Sequence, residues 1–270
     1  MRFLPILFLL FSLLGCDGAS QSPANGANGQ ASPTGKSEVL SKEALVKRIK
    51  ELGGTVEFDE ENPDKPVTAV KFIRRGDTNA ELKYLKGLTE LKTLDLNFSY
   101  VTDAGLKHLK GLTNLQTLYL SQTRVRNAGL ENLKGLTKLQ TLYLFGTKIN
   151  DDGLVHLKGM AELRVLVLSS TNISNSGLEH LKGLTNLQTL YLIGTNVTND
   201  GLVHLSGLTN LQTLFLSRTS ITDAGLGHLK ELTSLQDLRL DATDVTDEGA
   251  EELRKALPNC TVALEGFVTE

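Results

Sequence analysis

Residues 112–135 read LTNLQTLYLSQTRVRNAGLENLKG, and the spacing of the leucines in this stretch decides the fold. Leu118 and Leu120 flank Tyr119, which is the alternation of a short strand with one buried face. Leu115 and Val125 are expected to be buried at the two ends of that strand. The rest of the stretch predicts a short helical segment, so that the whole forms one coil with an apolar interior.

The same pattern returns every 24 residues along most of the chain. Its first leucine, replaced once by methionine, occurs at Leu88, Leu112, Leu136, Met160, Leu184, Leu208 and Leu232. Weaker copies flank these units, at Val67, Val70 and Phe72 and at Val262 and Leu264. Because one unit cannot bury its leucines alone, the units are predicted to stack into a solenoid with parallel strands.

The repeated unit resembles a leucine-rich repeat, and its second half, VTDAGL at residues 101–106, resembles the cysteine-containing subtype. Where that subtype has cysteine, this chain has Ser99, Thr123, Thr147, Thr171, Thr195, Thr219 and Thr243. The resemblance covers about three quarters of the chain. It implies an α/β fold: a leucine-rich-repeat solenoid, or horseshoe, with a parallel concave sheet, short convex helices and an N-terminal cap of one helix and one strand.

Three columns of small or polar residues recur with the leucines. The threonine hydroxyls are expected to satisfy buried backbone groups where the chain leaves each strand. An Asp or Asn at positions 103, 127, 151, 175, 199, 223 and 247 is expected to cap the following helix. Gly105 and its equivalents lie inside the helical stretch, where glycine lowers the stability of a helix by about 1 kcal/mol relative to alanine. Because this cost recurs in every unit, it indicates that a side chain there would block packing between coils.

The N-terminal segment predicts export. Residues 3–15 are almost entirely apolar but too few to span about 30 Å of hydrocarbon, which is typical of a secretory signal. Leu13-Leu14-Gly15-Cys16 resembles a bacterial lipobox. That resemblance implies cleavage before Cys16 and attachment of acyl chains such as palmitate to it, which would hold the protein on the extracytoplasmic, periplasmic side of the cell membrane. An ordinary signal peptide cleaved nearby is the alternative.

Composition then divides the chain into five parts. Residues 1–15 are predicted to be a lipoprotein signal peptide and residues 16–36, rich in Gly, Ser, Ala, Asn and Pro, a flexible tether. Residues 37–66 form the N-terminal cap, with a helix that begins near Ser41 and a strand at residues 55–58. Residues 67–264 form the solenoid, and residues 265–270 a C-terminal tail.

Several functions find no support in the sequence. A net charge of -3 argues against sequence-independent nucleic-acid binding. Because the chain has no nucleophile elbow, zinc-protease motif, phosphate loop or dinucleotide motif, we expect it not to be an enzyme and to need no cofactor. All five histidines share one repeat position and could be read as metal ligands, at His108, His156, His180, His204 and His228. We interpret them as a column on the convex surface, and expect no metal site.

The outward positions of the strands indicate where a ligand would bind. They carry aromatic or apolar residues in the middle of the repeat array and charged residues at its ends, as in an interface core and rim. The candidate ligand-binding residues are Tyr119, Tyr143, Phe145, Val167, Tyr191, Ile193, Phe215 and Arg239. The alternative is that aromatic residues there only shield exposed strands.

The sequence therefore resembles the leucine-rich-repeat lipoproteins of bacterial cell envelopes. It predicts a membrane-anchored extracytoplasmic binding module, attached through Cys16, that engages an unknown macromolecule, most readily a protein, on its concave face. Protein, peptide and glycan ligands stay open at this point. The alternative function is a structural, self-associating scaffold of the envelope.

Overall fold

The computed structural model describes residues 41–72 and 79–265. In these ranges ten strands form one sheet, in which each strand lies beside its neighbours in chain order. The strands are β1 (Thr55–Phe58), β2 (Val67–Lys71), β3 (Thr93–Asp95), β4 (Thr117–Tyr119), β5 (Thr141–Tyr143), β6 (Val165–Val167), β7 (Thr189–Tyr191), β8 (Thr213–Phe215), β9 (Asp237–Arg239) and β10 (Thr261–Ala263).

One register holds throughout the repeated part of the sheet. From β2 to β10 the strands are parallel, and each residue pairs with the residue 24 positions later, as Leu94 does with Leu118. Side chains at one repeat position therefore stack in columns across the sheet. At the first edge β1 pairs with β2 in the antiparallel sense, so Thr55 lies opposite Lys71.

The helices lie between the strands. The longest two are α1 (Lys42–Glu51) and α8 (Asp247–Ala256), at the two ends of the array. Between them lie single turns, most followed by a 3₁₀ turn: α2 (Asp103–Leu106), α3 (Asn127–Leu130), α4 (Asp151–Leu154), α5 (Asn175–Glu179), α6 (Asn199–Leu202) and α7 (Asp223–Leu226). The hydroxyl of Ser41 caps α1 by accepting a hydrogen bond from the Ala44 N–H at 3.3 Å.

The core is one continuous column of leucines between the sheet and the helical turns. Leu118 and Leu120 of the repeat that decided the fold are fully buried, and so are Leu115 and Val125. Because each coil buries its leucines only against its neighbours, the units are stable as a stack. The predicted fold class, an α/β repeat solenoid with a helix and strand at its N-terminal end, is confirmed.

The threonine hydroxyls satisfy buried backbone groups, as predicted. The hydroxyl of Thr123 is buried and donates a hydrogen bond to the Leu120 carbonyl oxygen at 2.7 Å. Ser99 and the other five threonines make the same bond to the carbonyl three residues earlier. Each bond satisfies a carbonyl at the point where the chain turns out of its strand.

The prediction that the Asp and Asn column caps the helices was wrong. These residues are the first residues of their helices, and the residue before each one stands at the N-cap, as Thr102 does for Asp103. In the six units before the last, the Oδ1 atoms bind the next coil instead. Asp103 Oδ1 accepts the Arg126 N–H at 2.7 Å, and Asn175 Oδ1 accepts the Thr198 N–H at 2.9 Å. The column is a ladder between coils.

The glycine column makes this ladder possible. A Cβ at Gly129 would lie 2.5 Å from Asp103 Oδ1, and one at Gly201 would lie 2.5 Å from Asn175 Oδ1. Such distances are far below ordinary contact, so only glycine lets the side chain of the previous coil reach its partner. The prediction that a side chain here would block packing between coils is confirmed.

Several predicted features lie outside the described residues. They are the signal peptide at residues 1–15, Cys16 with the tether at residues 16–36, the first residues of the cap and residues 266–270. Within residues 41–72 and 79–265, no helix combines the length and the apolar character needed to cross a membrane.

Candidate functional site

The face of the sheet opposite the leucine core carries one row of side chains across the middle strands. We call this row the outer strip: Tyr119, Tyr143, Val167, Tyr191 and Phe215. The strip exists because side chains of a strand alternate, so that a buried Leu118 or Leu142 places its neighbour on the other face. Strands about 4.8 Å apart give the strip a length of roughly 19 Å.

The aromatic rings of the outer strip pack against each other in pairs. The ring centroids of Tyr119 and Tyr143 lie 4.9 Å apart with a tilt of 48°. Those of Tyr191 and Phe215 lie 4.4 Å apart and the two rings are nearly parallel, at 3°. Partial burial, together with the neighbouring phenols of Tyr119 and Tyr191, raises the pKa of Tyr143 to about 12. Burial also raises the pKa of Tyr119 and of Tyr191, so all three hydroxyls are hydrogen-bond donors at neutral pH.

Val167 lies at the centre of the outer strip and is less accessible than its neighbours. Its side chain is 1% exposed, whereas the aromatic residues of the strip are half-buried. Val165 in the same strand also replaces the threonine that the two strands on either side carry at that position. The middle of the sheet face is therefore its most apolar part, and Val167 can reach a ligand only if its neighbours move.

The next outward row is more buried than the sequence suggested. Phe145 and Ile193 are half-buried on this face. The serines in this row, however, do not point freely outward: Ser121, Ser169 and Ser217 are at most 7% exposed. Ser169 Oγ accepts the Ile193 N–H at 3.1 Å, and Ser217 Oγ donates to Asp241 Oδ1 at 2.7 Å. The hydroxyls of Ser169 and Ser217 thus join neighbouring coils.

Each end of the outer strip is closed by an ion pair, and the two pairs differ in which partner is exposed. At the β2–β3 end Lys71 Nζ lies 3.1 Å from Asp95 Oδ2, and the side chains are 57% and 15% exposed. At the β9 end Arg239 Nε lies 3.0 Å from Asp237 Oδ1, with exposures of 17% and 34%. The guanidinium of Arg239 also lies 5.6 Å from the centroid of the Phe215 ring. Each end of the strip thus holds a cation and a carboxylate, with Lys71 the more exposed group at the β2–β3 end and Asp237 the more exposed group at the β9 end.

A second aromatic cluster was missed by the sequence reasoning. Phe98 and Tyr100 follow β3 and are 55% and 41% exposed, and the Arg124 guanidinium lies 4.2 Å from the Tyr100 ring. Phe98 has a φ of 58°, in a column where other units hold Gln122 or Gly146. A bulky aromatic residue in a column of otherwise small or polar residues was the signal that could have revealed this cluster.

The histidine column lies on the helical side, where His228 is exposed and the other four histidines are half-buried. The Nδ1 atoms of His156, His180 and His204 are buried without a hydrogen-bond partner. In the part of the chain that the structure describes, no group of three or more His, Cys, Asp or Glu side chains is placed to hold a metal ion. Burial raises the pKa of the Cys260 thiol to about 11, so this buried cysteine is protonated at neutral pH.

Comparison with known proteins agrees with this geometry. Two family models described as leucine rich repeat match residues 89–149 and 231–253. Internalin C2 of Listeria monocytogenes is similar over 73% of this chain and 80% of its own, with 30% sequence identity and a TM-score of 0.63. An internalin (inlF) of the same organism is 20% identical over 68% of this chain and 70% of its own, with a TM-score of 0.40. No protein with a curated description matches the sequence.

Proposed function

Because this chain belongs to the leucine-rich-repeat family, we propose that it is a binding module that engages a protein through the outer strip. Repeat solenoids of this kind are typically non-enzymatic, and their extended faces serve as binding surfaces. The observation that carries the proposal is the arrangement of the sheet face: an apolar, aromatic centre between two charged ends. Interfaces have the same plan, with aromatic anchors surrounded by a polar rim.

The proposal includes a location. The lipobox-like residues before Cys16 support cleavage and lipidation there, and two or three acyl chains suffice for stable attachment to a membrane. The Gly- and Ser-rich residues 17–36 would then act as a tether with a reach of roughly 25 Å. The solenoid would bind its partner on the extracytoplasmic side of the cell membrane, close to the lipid surface but free to reorient.

The test is capture of a partner from envelope extract with the full chain, followed by measurement of affinity. Replacing Tyr143 and Tyr191 by serine should weaken binding by about 2 kcal/mol or more per anchor, because buried aromatic anchors dominate interface energies. Circular dichroism should show that the variant with both tyrosines replaced stays folded at the assay temperature. As a matched control, His156→Gln with His180→Gln alters two half-buried residues on the helical side and should leave binding unchanged.

Two results would contradict the proposal. If the tyrosine variant binds normally while the histidine variant fails, the helical side carries the site. If light scattering shows that the chain alone assembles with increasing concentration, and that the tyrosine variant does not, the outer strip serves self-association in an envelope scaffold instead.

A further inference from the structure

We propose that the outer strip receives one α-helix of its protein partner, lying across the strands with its N-terminus at β9 and its C-terminus at β2. This inference rests on the proposed function and adds the chemical form and direction of the bound element. It follows from three observations: the backbone groups of the sheet, the spacing of the strip and the charges at its two ends.

The first observation is that the sheet face offers almost no backbone hydrogen bonds. From β2 to β9 every strand is paired on both sides, so its N–H and C=O groups are used within the sheet. An extended peptide laid on this apolar face would bury its own backbone groups without partners, which is costly. A helix satisfies its backbone internally and presents only side chains to the surface.

The second observation is the distance between neighbouring side chains of the strip. Strands lie about 4.8 Å apart, and successive turns of a helix place side chains on one face about 5.4 Å apart. Side chains on one face of an extended peptide are about 6.7 Å apart. Over the four steps from Tyr119 to Phe215, the accumulated mismatch between the side chains of the ligand and the strands is about 2.4 Å for a helix and about 7.6 Å for an extended chain. Only a helix therefore keeps its side chains aligned with those of the strip.

The ring packing also favours a protein over a glycan. Sugars bind aromatic side chains through open ring faces, but the Tyr191 and Phe215 rings cover each other at 4.4 Å and 3°. Tyr119 and Tyr143 likewise contact each other. Rings that cover each other leave fewer open faces for a sugar, so the strip suits a protein partner better than a glycan.

The third observation sets the direction. Each ion pair places one group of either sign at its end of the strip, and the two ends differ in which group is more exposed. At the β2–β3 end it is the cation of Lys71, at 57% against 15% for Asp95, and at the β9 end it is the carboxylate of Asp237, at 34% against 17% for Arg239. Asp241 adds a second carboxylate at the β9 end. A helix carries partial positive charge at its N-terminus and partial negative charge at its C-terminus. Its N-terminus therefore belongs at β9 and its C-terminus at Lys71. A span of roughly 19 Å corresponds to about 13 helical residues.

The test selects binders to the full chain from two display libraries of equal size. One presents a stable helix of fourteen residues with one face randomised, and the other presents linear peptides kept extended by alternating prolines. We expect binders from the helix library. Their affinity should fall at least tenfold for the double variant Tyr143→Ser with Tyr191→Ser and stay unchanged for the double variant His156→Gln with His180→Gln. If only the extended library gives binders that the tyrosine variant loses, the outer strip is a binding site but not for a helix, and the inference is wrong while the proposed function stands.

Direction is read from cross-linking. A photoreactive group at either terminus of a selected helix, bound to the wild-type chain, should label the peptide that contains Asp237 from the N-terminus and the peptide that contains Lys71 from the C-terminus, as read by mass spectrometry of a digest. In addition, the exchange Lys71→Glu with Asp237→Lys should weaken the selected helices at least threefold at low salt and little at 1 M salt, since surface charges are screened there. Labelling in the opposite sense would overturn the assigned direction. If neither library yields binders sensitive to the tyrosine variant, both the inference and the proposed function fail.

Discussion

The Oδ1 atom of Asn175 accepts a hydrogen bond at 2.9 Å from the backbone N–H of Thr198, which lies 23 residues later in the next coil. The amide nitrogen of the same side chain donates to the Thr198 hydroxyl at 2.8 Å. Both bonds need the side chain to pass close over Gly201, where a Cβ would lie 2.5 Å from Oδ1. One polar side chain and one missing side chain thus join two coils on the helical side of the sheet.

Gly201→Ala should destabilise the protein by about 1–3 kcal/mol, because the added methyl group displaces Asn175 and overpacks the junction. Gly207→Ala is the matched control, since a Cβ there meets no atom within 4 Å. That change should be neutral or stabilising by up to about 1 kcal/mol. Urea unfolding of both variants measures the difference, and equal free energies of unfolding would show that the ladder does not depend on glycine.

Thr171→Val should cost about 1–3 kcal/mol, because it keeps the shape of the side chain but leaves the buried Leu168 carbonyl without its hydroxyl donor. The control is Thr189→Val on the outer face of β7, where the threonine is half-buried and the expected change stays within about 0.5 kcal/mol. Thermal and urea unfolding should rank the two variants in this order. Similar losses at both sites would mean that the buried hydroxyl has no structural part.

His156 should make the protein less stable in mild acid. Burial, and to a lesser degree the charge of Lys134, lowers the pKa of His156 despite the opposing effect of Glu131. The unfolded chain, with a histidine pKa of about 6.5, therefore binds more protons than the folded one as the pH falls below that value. By linkage this part of the stability is present above about pH 6.5 and is lost toward lower pH.

His156→Asn should remove that part of the pH dependence. Asn132 stands at the same position one unit earlier and donates from Nδ2 to the Gly129 carbonyl at 3.2 Å, so an asparagine fits this site. Thermal midpoints at pH 5 and pH 7.5 should differ less in His156→Asn than in the wild type. An unchanged difference in the His156 variant would contradict the argument.

Cys16→Ser should stop lipidation and processing of the N-terminus. The wild-type protein is expected to enter the detergent phase in a two-phase partition, and the variant to stay in the aqueous phase or to keep its leader. Mass spectrometry of the purified wild-type protein should find an acylated Cys16 as the first residue. An unmodified N-terminus at any other residue would exclude the anchoring mechanism.

Much of the fold could be predicted from periodicity alone. Leucines that return every 24 residues define which side chains are buried, and a side-chain period of two then places Tyr119 opposite the core. The threonine column was also predictable, since its hydroxyl bonds to a carbonyl only three residues away. In local patterns of this kind both hydrogen-bond partners lie close together in the sequence, so the bond can be predicted.

What the sequence could not show depends on contacts between coils. A short side-chain oxygen at Asp103 suits a helix cap as well as it suits a bond to Arg126, 23 residues later, and only the distance between coils decides between them. The burial of Val167 depends in the same way on its neighbours in adjacent strands. The exposure of Phe98 was hidden because its backbone conformation, with positive φ, is unusual for an aromatic residue.

The uniform 24-residue register has a consequence for how such a protein can change over generations. Each junction from β3 to β9 uses the same columns, so an in-frame duplication or loss of a whole unit would create a junction that already fits its neighbours. Every such event would lengthen or shorten the outer strip by about 4.8 Å, with the charged ends carried along intact. The gene could thereby adjust the reach of the binding surface in discrete steps, while point substitutions in the outward columns alter what it recognises.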